Sequence, residues 1–488
     1  MDGLTTVMGE IPATPDDLPP IAIDDWADSD AMGKVVSETL LLASLGADYR
    51  LQAKDKCIWS KGSKPAWKML IDVGGLTYEM VADGSQVYRF DPRHFHATEG
   101  KATVYAANRL EGKPQSVPLR SMDSTGYLSS KYFQLCLPAN ATRFFCNPSE
   151  GKALYPFAQS KDFNFTYAPD NQSNEFTQAS IFAHSNVALQ WLENHGYKNF
   201  GITPIKLLAH AVIQGDINNA MYQPGSGANG PIILIADGDN NVLQNLGTDA
   251  DVVSHELGHH VLFSTVTQIT KDSEALVIHE GLSDYFTFAR TGNACLGESV
   301  CTSTPVGLQV CEKPRKCLRS AENDYTFGDP SLPTAPHLRG QFISGMLWDL
   351  NAADQIAQND VTTLVLKGVN LLVANSGYKH VVVSMLLIDH TDFGGKYCSK
   401  ILNRAKIRGL GPMLADVSCE SIKTQSADSR PGISLPKKAP PTVATPSGKA
   451  ISQGCGVISA GTNSGSMGSL IVLLALPLIL LGLGRPKS

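Results

Sequence analysis

Two histidines within the segment Asp251–His260 constrain this chain more than any other feature of its sequence. His255 and His259 belong to the pattern His-Glu-Leu-Gly-His. On an α-helix, residues four apart lie on the same face, so the two imidazoles can bind one metal ion. Zn²⁺ accepts neutral imidazole nitrogens at about 2.0–2.1 Å. Glu256 directly follows the first histidine, where a general base for metal-assisted hydrolysis is needed.

A second helical stretch, Glu274–Phe286, supplies carboxylates at a suitable spacing. A catalytic zinc ion needs three protein ligands and one open position, and Glu280 is the expected third ligand. Asp284 lies four residues later on the same helical face, where it can accept the free N–H of a zinc histidine and fix its tautomer. The alternative, two unrelated surface carboxylates, requires several coincidences. The sequence therefore predicts a catalytic zinc site.

The two patterns together, Asp-Val-Val-x-His-Glu-Leu-x-His and Glu-x-x-Ser-Asp, resemble those of the thermolysin-like zinc metalloproteases, the gluzincins. The wider chain looks most like their fungalysin branch, over residues 36 to about 420. The resemblance implies that His255, His259 and Glu280 bind zinc and that Glu256 activates the water. It also implies an α+β fold, in which a small α+β propeptide-like module precedes a catalytic region with a β-rich N-lobe and a helical C-lobe.

The resemblance also suggests residues that contact the substrate. The stretch Asn218–Tyr222 matches an edge strand that pairs with an extended peptide backbone in this family, which makes Asn219 and Ala220 the candidate substrate-binding residues. A plain hairpin with a Gly-rich turn is the alternative. His337 is the candidate for the histidine that donates a hydrogen bond to the developing oxyanion, and the alternative is a structural role.

Two departures from the family pattern limit the resemblance. The chain has no tyrosine between His260 and Glu280, where thermolysin has one that assists the oxyanion. Asp251 matches a position that binds structural calcium in thermolysin. The matching downstream acid is absent, with Thr291 near its place, which leaves calcium binding doubtful.

Size and charge narrow the class of protein. The chain has 488 residues, enough for two or three domains. Its net charge of -6 gives no global basic field, so we expect no nucleic acid partner. The expected partner is a peptide or protein substrate, and the sequence leaves the oligomeric state open.

The ten cysteines predict disulfides in an oxidising compartment. No Cys-x-x-Cys pair occurs, which argues against a structural zinc ribbon. Local pairing is expected, but the four clustered cysteines allow three connectivities, which stay open. The two close pairs are Cys136 with Cys146 and Cys398 with Cys419, and the cluster comprises Cys295, Cys301, Cys311 and Cys317.

The termini differ in character. No N-terminal secretory signal is visible, which leaves the true N-terminus of the protein open. The apolar run at the C-terminus is followed by Arg485 and Lys487, which predicts a membrane anchor or a surface-sorting tail with a cytoplasmic end. We therefore expect an extracellular or cell-surface protein. The predicted divisions are an arm (1–34), the propeptide-like module (35–115), the catalytic region (116–422), a Pro/Ser/Gly-rich linker (423–467) and the tail (468–488).

The sequence thus predicts a zinc-dependent endopeptidase. Two alternatives stay open at this point: a gluzincin aminopeptidase, and a non-catalytic surface protein that keeps zinc for structure. The predicted secondary structure comprises strands at 67–73, 76–81 and 86–89, and helices at 35–45, 176–196, 336–350 and 362–387.

Overall fold

The structure is a computed structural model with a mixed α+β architecture. The predicted arm, the predicted helix at 35–45, the C-terminal tail and most of the linker lie outside the residues it describes. Those residues are 50–59, 64–73, 76–83, 85, 87–92, 98–123, 125–169, 174–198, 204–225, 230–266, 273–311, 316–374, 376–423 and 453–454.

The strands and helices are numbered here along the chain. The strands are β1 (Arg50–Trp59), β2 (Lys64–Val73), β3 (Leu76–Ala82), β4 (Val87–Pro92), β5 (Thr98–Val104), β6 (Gln115–Met122), β7 (Phe133–Pro138), β8 (Phe144–Phe145), β9 (Asn164–Thr166), β10 (Ile205–Ala209), β11 (Ala220–Gln223), β12 (Ile232–Ile235), β13 (Cys295–Leu296), β14 (Arg319–Ser320) and β15 (Gln453–Gly454). The helices are α1 (Asn174–Asn194), α2 (Ala250–Thr265), α3 (Ser273–Thr291), α4 (Gly307–Val310), α5 (Pro336–Arg339), α6 (Gln341–Ala352), α7 (Gln358–Val369), α8 (Tyr378–Phe393), α9 (Cys398–Ala405) and α10 (Cys419–Lys423).

The first sheet is an antiparallel meander in the order β1-β2-β3-β4. Met69 and Ile71 of β2 are buried, as are Tyr78 and Met80 of β3. Residues two apart share one face of a strand, so these pairs place apolar side chains on the same side of each strand. The three strands predicted between residues 67 and 89 are confirmed, while β1, whose sequence mixes charged and apolar residues, was not predicted.

A six-stranded sheet, in the order β15-β11-β12-β10-β7-β8, lies beside the histidine-bearing helix. Its central strands β7, β10 and β12 run parallel, and β11 pairs antiparallel with β12. The outer edge of β11 pairs antiparallel with β15, Met221 opposite Gly454 and Tyr222 opposite Gln453. Apart from β15, therefore, β11 is the edge strand of this sheet.

A third sheet joins β5 to β6 and to β9. Ala102 and Val104 of β5 belong to the same apolar core as Val253 of α2 and Leu282 of α3. The predicted boundary between residues 115 and 116 coincides with the start of β6, whose partner strand β5 precedes it. The division into domains stays a prediction.

The helix predicted at 176–196 is confirmed as α1, and Gly196 follows it with a positive φ of 97°. The helix predicted at 336–350 is instead two helices, α5 and α6, separated by Gly340. A Cβ at Gly340 would lie 2.8 Å from the nitrogen of Gly281, so only glycine fits where this break meets α3. The helix predicted at 362–387 is likewise two helices, α7 and α8. Between them, Ser376 Oγ accepts a hydrogen bond from the nitrogen of Val373 in a local turn.

Disulfides close four loops of the described chain. The sequence left the connectivity of the cysteine cluster open, and in the structure one of its two bonds lies inside the loop that the other closes. The two outlying pairs are local, as expected. Such bonds are typical of proteins from oxidising compartments. No described helix is both long and apolar enough to cross a bilayer. The bonds are Cys136–Cys146, Cys295–Cys317, Cys301–Cys311 and Cys398–Cys419.

Candidate metal centre

Helix α2 presents the two motif histidines to the interior. The helix begins beside Asp249, whose carboxylate accepts a hydrogen bond from the nitrogen of Asp251 and so caps a free donor of the first turn. His255 and His259 follow one turn apart and are both fully buried. Burial, together with the neighbouring histidines, holds the pKa of His259 well below its usual range. The imidazole is therefore neutral, which is the form that binds metal.

Three donor side chains converge between α2 and α3. His255 Nε2 lies 3.1 Å from His259 Nε2 and 3.3 Å from Glu280 Oε2. His259 Nε2 lies 3.6 Å from Glu280 Oε1. Ligands at about 2.0–2.1 Å from a tetrahedral ion lie roughly 3.3 Å apart, so this spacing fits zinc. In the described part of the chain, this is the one group of three or more such side chains that could hold a metal ion.

Glu280 is buried on α3 and keeps its charge. Burial alone would raise the pKa of its carboxyl, but the neighbouring charge interactions, of which that with His337 is the largest, lower the pKa below its usual range. Close helix contacts hold the residue in place. A Cβ at Gly281 would lie 2.7 Å from the carbonyl oxygen of Gly340. The absence of a side chain at both glycines lets α3 and the start of α6 approach closely beside Glu280.

Asp284 contacts the first histidine, and its role toward a bound metal stays a prediction. Its Oδ1 lies 2.8 Å from His255 Nδ1. A carboxylate only accepts hydrogen bonds, so Nδ1 carries the proton and Nε2 keeps its lone pair for the metal side. Arg319 binds the same carboxylate through two hydrogen bonds of 2.8 Å, from Nε to Oδ2 and from Nη2 to Oδ1. Burial raises the pKa of Asp284, but Arg319 and His255 outweigh burial and lower it.

The second histidine has its own partner on α3. Ser283 Oγ lies 3.2 Å from His259 Nδ1. The helices cross closely here, because a Cβ at Gly258 would lie 2.8 Å from the Cα of Ser283. The small residues Gly258 and Ser283 therefore bring the two helices within ligand distance of each other.

His337, on α5, borders the cluster. Its Nε2 lies 3.4 Å from Glu280 Oε1, and its side chain is buried. It thus lies beside a candidate ligand, and its role toward an oxyanion stays a prediction. Glu256 is fully buried on α2, next to His255.

The candidate substrate-binding residues lie at the edge strand. Ala220 opens β11, and Asn219 directly precedes it, with its carbonyl oxygen accepting a hydrogen bond from the nitrogen of Ala236. The strand contacts the metal helix through Tyr222, whose hydroxyl lies 3.1 Å from His260 Nδ1. The strand therefore runs next to the residue that follows His259, and substrate binding by Asn219 and Ala220 stays a prediction.

Sequence reasoning missed several residues of this centre. Ser283 stood inside the quoted Glu-x-x-Ser-Asp pattern, so its place beside Asp284 was a usable signal. His279 packs its ring near that of His259, with centroids 6.1 Å apart, and it directly precedes Glu280. Arg319 had no such signal, because it lies in the cysteine-rich stretch without helical or strand periodicity.

Asp251, the residue considered for calcium binding, lies near the guanidinium of Arg290. Asp251 Oδ1 lies 3.8 Å from Arg290 Nη2, and its Oδ2 accepts a hydrogen bond from the nitrogen of Gly297. Burial and the carboxylate of Asp249 raise the pKa of Asp251 well above its usual range, although Arg290 opposes them. These neighbours give calcium no added support.

No protein-family model matches the chain, and no curated protein matches it. Among solved structures, the precursor of protealysin, a metalloproteinase from Serratia proteamaculans, is similar over 65% of this chain and 89% of that chain. Its sequence identity is 14% and its TM-score is 0.42. A similarity of this size carries no argument, so function is inferred from the chain's own residues.

Proposed function

We propose that this chain is a zinc-dependent endopeptidase. The observation that carries the proposal is the convergence of His255, His259 and Glu280, with His255 Nδ1 bound to Asp284. Two neutral imidazoles and one carboxylate form the ligand set of many catalytic zinc sites. A zinc ion bound there would lower the pKa of a water molecule and polarise a peptide carbonyl.

The residues around the ligands supply the remaining functions. Glu256 acts as the general base, accepting a proton from the attacking water and donating it to the leaving amine. His337, beside Glu280, donates a hydrogen bond to the oxyanion. A purely structural zinc site has no need of a base after its first histidine, so Glu256 favours the enzyme over a non-catalytic protein.

The edge of β11 is the proposed binding surface for the peptide backbone. An open strand edge supplies main-chain hydrogen bonds to an extended peptide, which adds as a further strand. Two observations favour this surface: β11 contacts the metal helix through Tyr222 and His260, and its outer edge already pairs with an extended segment, β15.

Zinc content and peptidase activity test the proposal together. The purified chain is expected to hold about one zinc ion and to hydrolyse casein in a manner that a chelator abolishes and added zinc restores. Glu256→Gln keeps the size of the side chain but cannot accept the proton, so it is expected to retain zinc and lose about 10²- to 10⁴-fold in kcat/KM.

A matched variant controls for the loss of one carboxylate. Glu420 is an exposed glutamate near the end of the described chain, 81% exposed in its side chain, so Glu420→Gln is expected to keep parent activity. Near-normal turnover by Glu256→Gln would remove Glu256 from the mechanism. A chain that binds zinc but hydrolyses no peptide in any buffer would favour the non-catalytic alternative.

A further inference from the structure

A very short strand pair carries Arg319 toward the metal centre. β13 and β14 pair antiparallel, with Leu296 opposite Arg319. Cys317, two residues before Arg319, is joined to Cys295 at the start of β13. Isolated two-stranded pairs are marginal even when longer than this one. The disulfide is therefore the covalent restraint that lies nearest to Arg319.

Arg319 provides the countercharge for a buried carboxylate. Asp284 is fully buried, and Arg319 is 3% exposed. A buried charge that loses its partner is strongly destabilised, and the carboxylate then rotates, protonates or admits water. Oδ1 of Asp284 is shared between Arg319 Nη2 and His255 Nδ1. Arg319 Nη2 also lies 3.3 Å from His255 Nδ1 itself, so any movement of the guanidinium reaches the orientation of this candidate zinc ligand both directly and through Asp284.

We propose that Arg319 is a positioning residue of the metal centre and that the Cys295–Cys317 disulfide holds it there. The strand pair β13–β14, which this disulfide restrains, thus acts as part of the scaffold that orients His255 through Asp284. This inference rests on the proposed zinc site, and it assigns the strand pair a role beyond general stabilisation of the fold.

General stabilisation is the competing explanation, and the chain contains a control for it. The Cys398–Cys419 disulfide has a sequence separation of 21, against 22 for Cys295–Cys317. The entropy of closing a loop depends on its length, and the nested Cys301–Cys311 bond shortens the Cys295–Cys317 loop, so the control bond restrains the unfolded chain at least as much as Cys295–Cys317 does. Cys398–Cys419 joins α9 to α10 and contributes no side chain to the donor cluster.

The test compares zinc affinity with stability in the full-length chain. The variants are Cys295→Ala/Cys317→Ala, the control Cys398→Ala/Cys419→Ala, Arg319→Ala and Arg319→Lys. Zinc affinity is measured by competition with a chromophoric chelator, and stability is measured by urea unfolding of the metal-free protein. Removing a group that orients a zinc ligand typically lowers metal affinity about 10- to 100-fold.

We expect that loss of Cys295–Cys317 and Arg319→Ala both lower zinc affinity by that amount, while the control pair loses similar stability and keeps parent affinity. Arg319→Lys keeps the charge but not the two-pronged hydrogen bond, so an intermediate affinity is expected. If the Cys295→Ala/Cys317→Ala chain does not fold, the two Arg319 variants decide the role of the arginine.

Several outcomes would overturn the inference. Parent affinity in Arg319→Ala would remove Arg319 from the centre. Equal losses of affinity in the two disulfide variants would make the effect one of general stability. A parent chain that binds no zinc would overturn the zinc site itself. A parent chain that binds zinc but has no peptidase activity would overturn only the proposed activity, and the zinc affinities of the variants would then decide this inference.

Discussion

His255 Nδ1 and Asp284 Oδ1 lie 2.8 Å apart and join helix α2 to helix α3 across the candidate metal centre. This bond leaves His255 Nε2 facing His259 and Glu280, so one contact fixes both the tautomer and the direction of the ligand. The centre is thus oriented by residues outside the donor set, and its affinity for metal should respond to them.

Asp284→Asn is expected to lower zinc affinity about 10- to 100-fold while the protein stays folded. The amide oxygen can still accept from His255 Nδ1, but it carries no charge, and Arg319 loses its buried counterion. Chelator competition measures the change. Asp416→Asn, on a side chain that is 61% exposed, is the control and should keep parent affinity. Equal affinity in both variants would contradict the orienting role of Asp284.

Gly258→Ala is expected to destabilise the fold by about 1–3 kcal/mol, because the new Cβ would lie 2.8 Å from the Cα of Ser283 and force α2 and α3 apart. Urea unfolding measures the loss. Since the donor atoms lie between these helices, zinc affinity should fall as well.

Gly411→Ala is the matched control for that substitution. The nearest atom to a Cβ at Gly411 is Lys406 Cγ at 3.6 Å, an ordinary contact, and its φ is helical at −49°. This variant is expected to lie within about 1 kcal/mol of the parent. A loss at Gly411 as large as that at Gly258 would show that the effect is not specific to the helix crossing.

Part of this centre could be predicted from the sequence because its spacing is local. His255 and His259 are one helical turn apart, and Glu280 and Asp284 repeat that spacing on the next helix. Helical geometry alone places each pair on one face. Packing the two faces together needed only small residues at Gly258 and Ser283, and both of them stand in the quoted patterns.

Arg319 shows why the remainder could not be predicted. Its contact with Asp284 depends on a disulfide whose connectivity was one of three possibilities, and on a strand pair too short to leave a periodic pattern. The break at Gly340 was missed for a related reason. A helical pattern continues through that residue, and only the close approach of Gly281 requires the glycine there.

Asp249 gives the fold a measurable pH dependence. Burial raises the pKa of Asp249 to about 6, although hydrogen bonds from Ser299 and from the nitrogen of Asp251 oppose burial. An acid with a raised pKa destabilises the fold above that pKa, and the cost disappears as pH falls toward the unfolded value of about 3.9. The nearby acids are the buried Asp251, the half-buried Glu298 and the exposed Glu111, and the nearby cation is Arg290, which offsets them.

Asp249→Asn removes the buried charge and keeps a side chain that can cap α2. The free energy of unfolding at pH 8 should therefore rise relative to the parent, and the difference should shrink steadily between pH 7 and pH 4. Urea unfolding across this range gives the comparison. Asp416→Asn, on an exposed aspartate, should show no such rise at pH 8. A constant difference at every pH would mean that Asp249 does not titrate as its burial indicates.

The pairing of β15 with β11 predicts that the chain's own linker competes with peptides for the substrate edge. In an antiparallel pair, one of two neighbouring residues directs its N–H to the partner strand, so Gln453→Pro/Gly454→Pro must remove at least one such bond. One bond is worth about 0.5–1.5 kcal/mol, so KM for an extended peptide should fall about 2- to 10-fold with kcat unchanged.

Hydrogen exchange in β11 should accelerate in the same variant. Ser447→Pro/Gly448→Pro, elsewhere in the linker, is the control. Unchanged exchange in β11 would show that the segment does not occupy this edge in solution, whatever the kinetics.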